Sequence, residues 1–306
     1  MIHEHLTEFH GLPVRDAGDE EARGASQVAW RVGGDPDEDG EGIAGSFQRL
    51  FDEVDCGVVR ALVVGSWGWS HDGDTAAVPV GLLVEAAHRL PALEAIFLGD
   101  YVSEESEISW IGQADVTPLL TAYPRLKRLD VRGSEGLELQ PVTHTSLETL
   151  RFESGGLPAA VVRAIGASSL PALRHLELWL GEENYLGDSG PEDWAPILAG
   201  GGLPALRHLG LQDSERQDEV AVAVATAPIV ARLESLDLSM GALTDEGAEA
   251  LLSGQPLTHL KRLNLRHHFL SEEMTAKLAG AFGGVEVDLS DRQNPDDDWR
   301  FIEVSE

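Results

Sequence analysis

A short pattern, L-x-x-L-x-L, returns along most of this chain and leaves few folds open to it. It stands as Leu126-Leu129-Val131, Leu147-Leu150-Phe152, Leu173-Leu176-Leu178, Leu206-Leu209-Leu211, Leu233-Leu236-Leu238 and Leu260-Leu263-Leu265. Looser copies lie upstream at Val59-Leu62-Val64 and Leu93-Ile96-Leu98 and downstream at Phe282-Val285-Val287, which makes about nine strands. Spacings between first positions are 34, 33, 21, 26, 33, 27, 27 and 22 residues. That is an irregular period near the about 20 to 29 residues of a strand-and-helix repeat, with insertions in the longer units. No unit of this size buries its own leucines, so each must stack on the next. The pattern therefore predicts an α/β solenoid: a curved parallel sheet inside, with helices and short turns outside.

One unit shows how a repeat is built. In LESLDLSMGALTDEGAEALLSG the strand is followed by Leu243, then by Thr244 as helix N-cap, then by the apolar helical face of Ala248, Leu251 and Leu252. The stretch GSEGLELQPVTHTS contains Pro141 and is too short for a helix, so an extended or turn-like outer side is expected there. Residues 1–56 read as an N-terminal cap, with a strand from Gln27 to Val32, an acidic loop GGDPDEDGEG, and a helix from Ser46 through Phe47, Leu50, Phe51 and Val54. The solenoid is expected over 57–290. Residues 291–306, ending in WRFIEVSE, are expected to add an edge strand or to pack over the last repeat, since both ends of a solenoid need covering.

The 27-residue units carrying L-T-D-E-G-A-E-A-L-L resemble the ribonuclease-inhibitor-like class of leucine-rich repeats, over roughly residues 57–290. The whole chain is also similar to a bacterial leucine-rich-repeat family. That resemblance rests on EHLTEFHGLPV at the start, LVVGSWGW near 62, LPALRHLGL near 203, SEEMTAKL near 271 and VEVDLSDRQ near 285. It implies the fold and a cytosolic setting, and it brings no catalytic residues with it.

Charge narrows the partners. With 53 acidic against 22 basic residues the formal charge is -31, which repels phosphate backbones and anionic lipid alike. Nucleic acid and membrane are not expected as partners, and no run approaches the about 18 apolar residues of a membrane helix. The opening MIHEHLTEFHGLPV lacks the basic and apolar segments of an export signal. Cys56 is the single cysteine, so no intrachain disulfide is possible, and a reducing cytoplasm is the expected location.

Side chains alternate along a strand, so the residues between the inward leucines share the concave face. They form three columns. The first reads Arg128, Thr149, His175, His208, Ser235, Arg262, and the second Asp130, Arg151, Glu177, Gly210, Asp237, Asn264. The third reads Arg132, Glu153, Trp179, Gln212, Ser239, Arg266. These 18 positions hold five of the 22 bases, against about one expected from proportion. Two readings compete. Asp130, Arg151 and Glu177 alternate in sign and form a ladder of cross-strand ion pairs. Alternatively, Arg128, Asp130, Arg132, Arg151, Glu153, His175, Glu177, Trp179, His208, Arg262 and Arg266 form a binding surface with Trp179 as its centre.

Candidate chemistry is sparse. His175 and His208 are lateral neighbours, and Glu177 on the next row is a possible third metal ligand. His267 and His268 are adjacent in sequence, point to opposite sides of an extended segment and do not share a metal. Asp35, Asp37, Asp39 and Gly40 match the first half of a calcium loop, but Gly42 and Ser46 stand where the second half needs an apolar residue and a glutamate. Cys56, with no adjacent base, reads as a buried inert thiol. Trp67 and Trp69 read as packing under a loop. The expectation is thus a non-catalytic scaffold, not an enzyme, without cofactor or metal, presenting its concave face and the loop GEENYLGDSGPEDW to a protein or peptide. The alternative is a metal-dependent enzyme or metal-binding protein using His175, Glu177 and His208.

Overall fold

The computed structural model describes residues 2–17, 19, 24–34, 42–68, 73–295 and 299–305. The chain forms two compact units, Met1–Glu153 and Ser154–Ser305.

In the first unit β1 (Glu8–Phe9) and β2 (Leu12–Asp16) make an antiparallel hairpin. Its tight turn uses a left-handed backbone at His10 (φ 53°) and Gly11 (φ 70°). From β2 onward the pairing is parallel and follows chain order through β3 (Ala29–Val32), β4 (Ala61–Val64), β5 (Ala95–Leu98), β6 (Arg128–Arg132) and β7 (Thr149–Glu153). Helices α1 (Ile43–Glu53), α2 (Ala77–Glu85) and α3 (Thr117–Ala122) alternate with these strands. Strands β4 and β5 are apolar at every position because both faces are covered. Ala29, Ala61, Val63, Ala95 and Phe97 occupy the positions between the repeat leucines, and Phe9 and Val14 of the hairpin pack on them. The two phenyl rings meet edge-on at 5.8 Å.

The second unit continues the same plan with β8 (His175–Gly181), β9 (His208–Ser214), β10 (Ser235–Asp237), β11 (Arg262–Asn264) and β12 (Glu286–Asp288), interleaved with α4 (Ala159–Ala167), α5 (Pro191–Ala199), α6 (Gln217–Ala225), α7 (Asp245–Ser253) and α8 (Glu272–Ala281). Its strands are parallel, and Leu176, Leu209, Leu236 and Leu263 fall in register beneath them. Capping ties one helix to the next. Thr244 is the N-cap of α7, and Asp218 of α6 accepts from the Thr244 N–H at 2.8 Å and its hydroxyl at 2.6 Å.

The architecture is therefore α/β, with a mostly parallel sheet taken in consecutive strand order. Among the described residues there are twelve strands rather than about nine. The additional strands all lie in the N-terminal segment: β3 falls within the strand expected from Gln27 to Val32, and the other two form a hairpin whose turn carries no leucine motif. The segment after β6 contains no helix and instead makes isolated parallel bridges, Gly112 with Glu135 and Asp115 with Glu138. Residues 35–40 of the acidic loop, with their possible calcium ligands, and Trp69 lie outside the described residues. No helix among the described residues is long and apolar enough to cross a membrane.

The C-terminal segment packs without forming a strand. Ile302 and Val304 are buried. The Val304 N–H donates to Asp213 Oδ1 at 3.1 Å, and the Glu303 N–H to the Met240 carbonyl at 2.8 Å.

Candidate functional site

Strand register brings the site together. His175 pairs with His208, and His208 with Ser235, across β8, β9 and β10, so their side chains stand in one row. The two imidazoles stack, with centroids 4.0 Å apart and planes 10° from parallel. Glu177 shares their face two residues along β8, opposite Gly210 of β9. A Cβ on Gly210 would lie 3.0 Å from Glu177 Cγ, closer than ordinary side-chain contacts, so glycine there is what lets the glutamate stem lean across. The lean sets Glu177 Oε1 2.9 Å from His175 Nε2 and 3.2 Å from His208 Nε2.

The two nitrogens differ in circumstance. His208 Nδ1 is 2.7 Å from Ser235 Oγ, which holds the ring. Its Nε2 is shielded from solvent and, although within ion-pair distance of Glu177, is not aligned for a hydrogen bond. A buried imidazole nitrogen without an aligned partner is costly. The side chains are 36 % (His175), 15 % (Glu177) and 18 % (His208) exposed, so the row opens to solvent on one side.

The donor set fits a divalent cation. Two imidazoles and one carboxylate are a recurrent ligand set for zinc sites that keep an open position, with metal–nitrogen distances of about 2.0–2.1 Å. Tetrahedral ligands at that distance lie about 3.3 Å from one another. The 2.9 and 3.2 Å separations thus need to expand by only a few tenths of an ångström. The parallel rings must tilt as well, because a lone pair lies in its ring plane and two parallel planes do not converge on one ion.

A second cluster, His267, Asp291 and Glu303, also brings three ligand atoms within 4.8 Å of one another. Its cation position is already served by Arg266, which donates to Asp291 Oδ2 at 3.3 Å and pairs closely with Glu303. Both His267 nitrogens are engaged as well, Nδ1 3.2 Å from Asp291 Oδ2 and Nε2 3.1 Å from the Phe301 carbonyl. This cluster holds the C-terminal segment. His268 turns elsewhere, to the Leu289 carbonyl at 3.1 Å, and burial lowers its basicity.

The charged residues of the first unit behave differently. Arg128 binds Asp130 at 2.6 Å, while Arg132 and Arg151 each reach Glu153 at 2.7 Å. Asp130, Arg132 and Glu153 are buried. Burial raises the Asp130 carboxyl above the ordinary range in spite of Arg128. Trp179 is also buried, at 7 % exposure, and so offers no accessible aromatic face. Arg262 is exposed and lies 3.5 Å from Glu286. Cys56 is buried, which pushes its thiol up. Trp67 is packed against Tyr101 with its indole N–H on the Gly112 carbonyl.

The metal-ligating clusters overturn the expectation of a non-catalytic, protein-binding scaffold and remove the ground for excluding an enzyme. Of the residues assigned to the concave face, Asp130, Arg132, Glu153 and Trp179 are buried, and His175, Glu177 and His208 converge. Sequence reasoning passed over Asp291 and Glu303, which reach His267 only through the folding of the C-terminal segment.

No family model matches the chain, and no curated protein is similar to it. Among solved structures, the crystal structure of a protein from Bacteroides fragilis, a structural-genomics target, is similar at 31 % identity with a TM-score of 0.80. The match covers 90 % of this chain and 76 % of that one.

Proposed function

The chain belongs to the same family as the Bacteroides fragilis protein, and from the geometry above we propose that it binds a divalent transition metal through His175, Glu177 and His208. The observation that carries this reading is the convergence of two imidazole nitrogens on one carboxylate oxygen. Zinc is the ion the donor set suits best. When bound, such an ion supplies Lewis-acid activation of a water or carbonyl at its open position. The protein's own part is to orient His208 through Ser235, to bend Glu177 over Gly210, and to leave the His175 side open. Three protein ligands leave that position free, which suits a metal-dependent enzyme as well as a carrier. We read the stacked units as leucine-rich repeats and the setting as the reducing cytoplasm.

Metal analysis of the purified chain together with zinc titration calorimetry tests the proposal. One equivalent of zinc is expected for the unaltered chain and none for Glu177→Gln or His208→Ala. Absence of a stoichiometric site in the unaltered chain would sink the reading. Equal binding by all three would move it to other ligands.

A further inference from the structure

A cavity of about 220 Å³ lies in the first unit, just past the carboxyl ends of β3 and β4, where Gly33, Gly34, Gly65 and Ser66 follow the strands. That is the end of a parallel sheet at which α/β folds seat ligands. Two of its lining side chains hold hydrogens without acceptors. Arg31 uses Nε and Nη2 on Asp100 Oδ2, at 3.1 and 2.8 Å, and Nη2 also on the Leu6 carbonyl. Its Nη1 makes no hydrogen bond among the described residues and stands 3.9 Å from Asp16 Oδ1. Ser46, on the inner face of α1, is only 7 % exposed and accepts from the Gly33 N–H at 3.1 Å. Its own hydroxyl hydrogen has no acceptor among the described residues, and a buried donor of this kind is uncommon in native folds. Other lining groups accept instead. His5 Nδ1 is 3.1 Å from the Asp100 carbonyl, which takes the ring hydrogen, so Nε2 of the neutral ring presents a lone pair 3.4 Å from Glu105 Oε1.

Size and charge narrow the occupant. The cavity is smaller than the about 300 Å³ at which pockets for drug-sized molecules begin, so it suits a ligand of few heavy atoms. A simple anion answers Arg31 and Ser46 but lies beside Asp16 and Glu105, in a chain of formal charge -31. A simple cation leaves the Arg31 and Ser46 hydrogens unmet. A zwitterion answers both sides. We infer that this cavity binds a small zwitterion of the α-amino-acid class, its carboxylate on Arg31 Nη1 and the Ser46 hydroxyl and its ammonium on Glu105 and His5 Nε2. The site is separate from the histidine row, which belongs to the second unit.

Titration calorimetry of the full chain tests this with glycine, L-alanine and L-serine as probes, and with acetate and ethylamine as the two halves of such a molecule. One equivalent of at least one amino acid is expected to bind with a Kd of about 1 mM or below, and each half at least about tenfold more weakly. Ser46→Ala should weaken that amino acid about tenfold, the low end for one hydrogen bond to a charged group. Glu105→Gln keeps an acceptor for the Val102 N–H, which Glu105 Oε2 meets at 3.1 Å, and serves if the alanine variant does not fold. It should weaken the amino acid about threefold, as loss of a partly exposed charge pair does, and leave acetate unchanged. Absence of binding by all three amino acids overturns the inference. Acetate binding as tightly as the amino acid, or equal amino-acid binding by the unaltered chain and both variants, overturns it as well.

Discussion

The same strand face carries carboxylates in both units, but their partners differ. In the first unit Asp130 and Glu153 are held by Arg128, Arg132 and Arg151. In the second, two imidazoles, His175 and His208, approach the Glu177 carboxylate at 2.9 and 3.2 Å. A guanidinium is always charged and has no lone pair to offer. A neutral imidazole has one, and it remains available once the other nitrogen carries the proton. Arginine therefore closes a carboxylate to cations, whereas histidine leaves the same position open to a metal. Two stretches of one strand face thus differ in chemistry where imidazoles stand beside the carboxylate.

The largest expected effect breaks the closed side of this comparison. Replacing Glu153 by leucine leaves Arg132, itself buried, without its 2.7 Å partner and removes a partner from Arg151. Breaking a buried pair by deleting one member costs about 3–5 kcal/mol, which urea denaturation would register as a lowered midpoint, with zinc binding retained. A second prediction sharpens the open side. Zinc at about one hundred times its dissociation constant should stabilise the chain by about 2.7 kcal/mol. Hydrogen exchange should slow in β8 and β9 and be unaffected in β6 and β7. Protection spread evenly over both units would contradict the assignment of the ion to the histidine row.

The terminal segments repeat the contrast. In the first unit the buried Asp100 carboxylate accepts from the Leu6 N–H at 3.2 Å and binds Arg31 at 2.8 Å, which fixes the N-terminal segment with a paired charge. In the second, Asp213 is fully buried and accepts from the Val304 N–H, but its Oδ2 has no hydrogen-bond partner. Burial, with Glu303 and Glu182 adding repulsion, raises its carboxyl well above the ordinary 3.8. The folded chain therefore holds this proton where the unfolded chain releases it, so this group's contribution to stability is greatest in acid. It falls as pH rises above about 3.8 towards the raised value. Asp213→Asn keeps an acceptor for Val304 and removes the titration. At neutral pH the variant should be more stable by about 1–3 kcal/mol, the scale of an unsatisfied buried group, and the gain should shrink in acid. A pH-independent difference between the two melting curves would show that Asp213 does not carry the effect.

The repeat positions were readable because they recur. Leucines in a fixed motif specify which side chains face in, and parallel pairing then places His175 beside His208 with Glu177 one row along. The N-terminal hairpin was not readable, since its turn depends on left-handed backbone at His10 and Gly11 and repeats nothing. Burial on the concave side was equally hidden. Alternation assigns Trp179 and Arg132 to a face but does not say what covers that face. Contacts such as Asp213 with Val304 join residues 91 positions apart, and no local pattern announces them. Ser235 stood in the histidine column from the start. Its part became visible only with the 2.7 Å contact to His208 Nδ1.

That contact carries the smallest of these effects and the closest test of how the open column is tuned. A hydroxyl can give a hydrogen to Nδ1 or take one from it. When His208 Nε2 ligates a metal, its proton must sit on Nδ1, and Ser235 Oγ is the acceptor that favours this tautomer. Outer partners of this kind change metal affinity by about 10–100-fold when removed. A neutral serine is a weaker partner than a carboxylate, so the low end is expected. Ser235→Ala should weaken zinc about tenfold, which corresponds to about 1.4 kcal/mol. Threonine and valine at position 235 have the same shape and differ in the hydroxyl. Zinc affinity near the unaltered value for Ser235→Thr, and lowered for Ser235→Val, isolates the hydrogen bond from packing. Equal affinity of that pair would mean that His208 is oriented by its stacking on His175 and not by the serine, and the contrast between the two stretches would then rest on the imidazoles themselves.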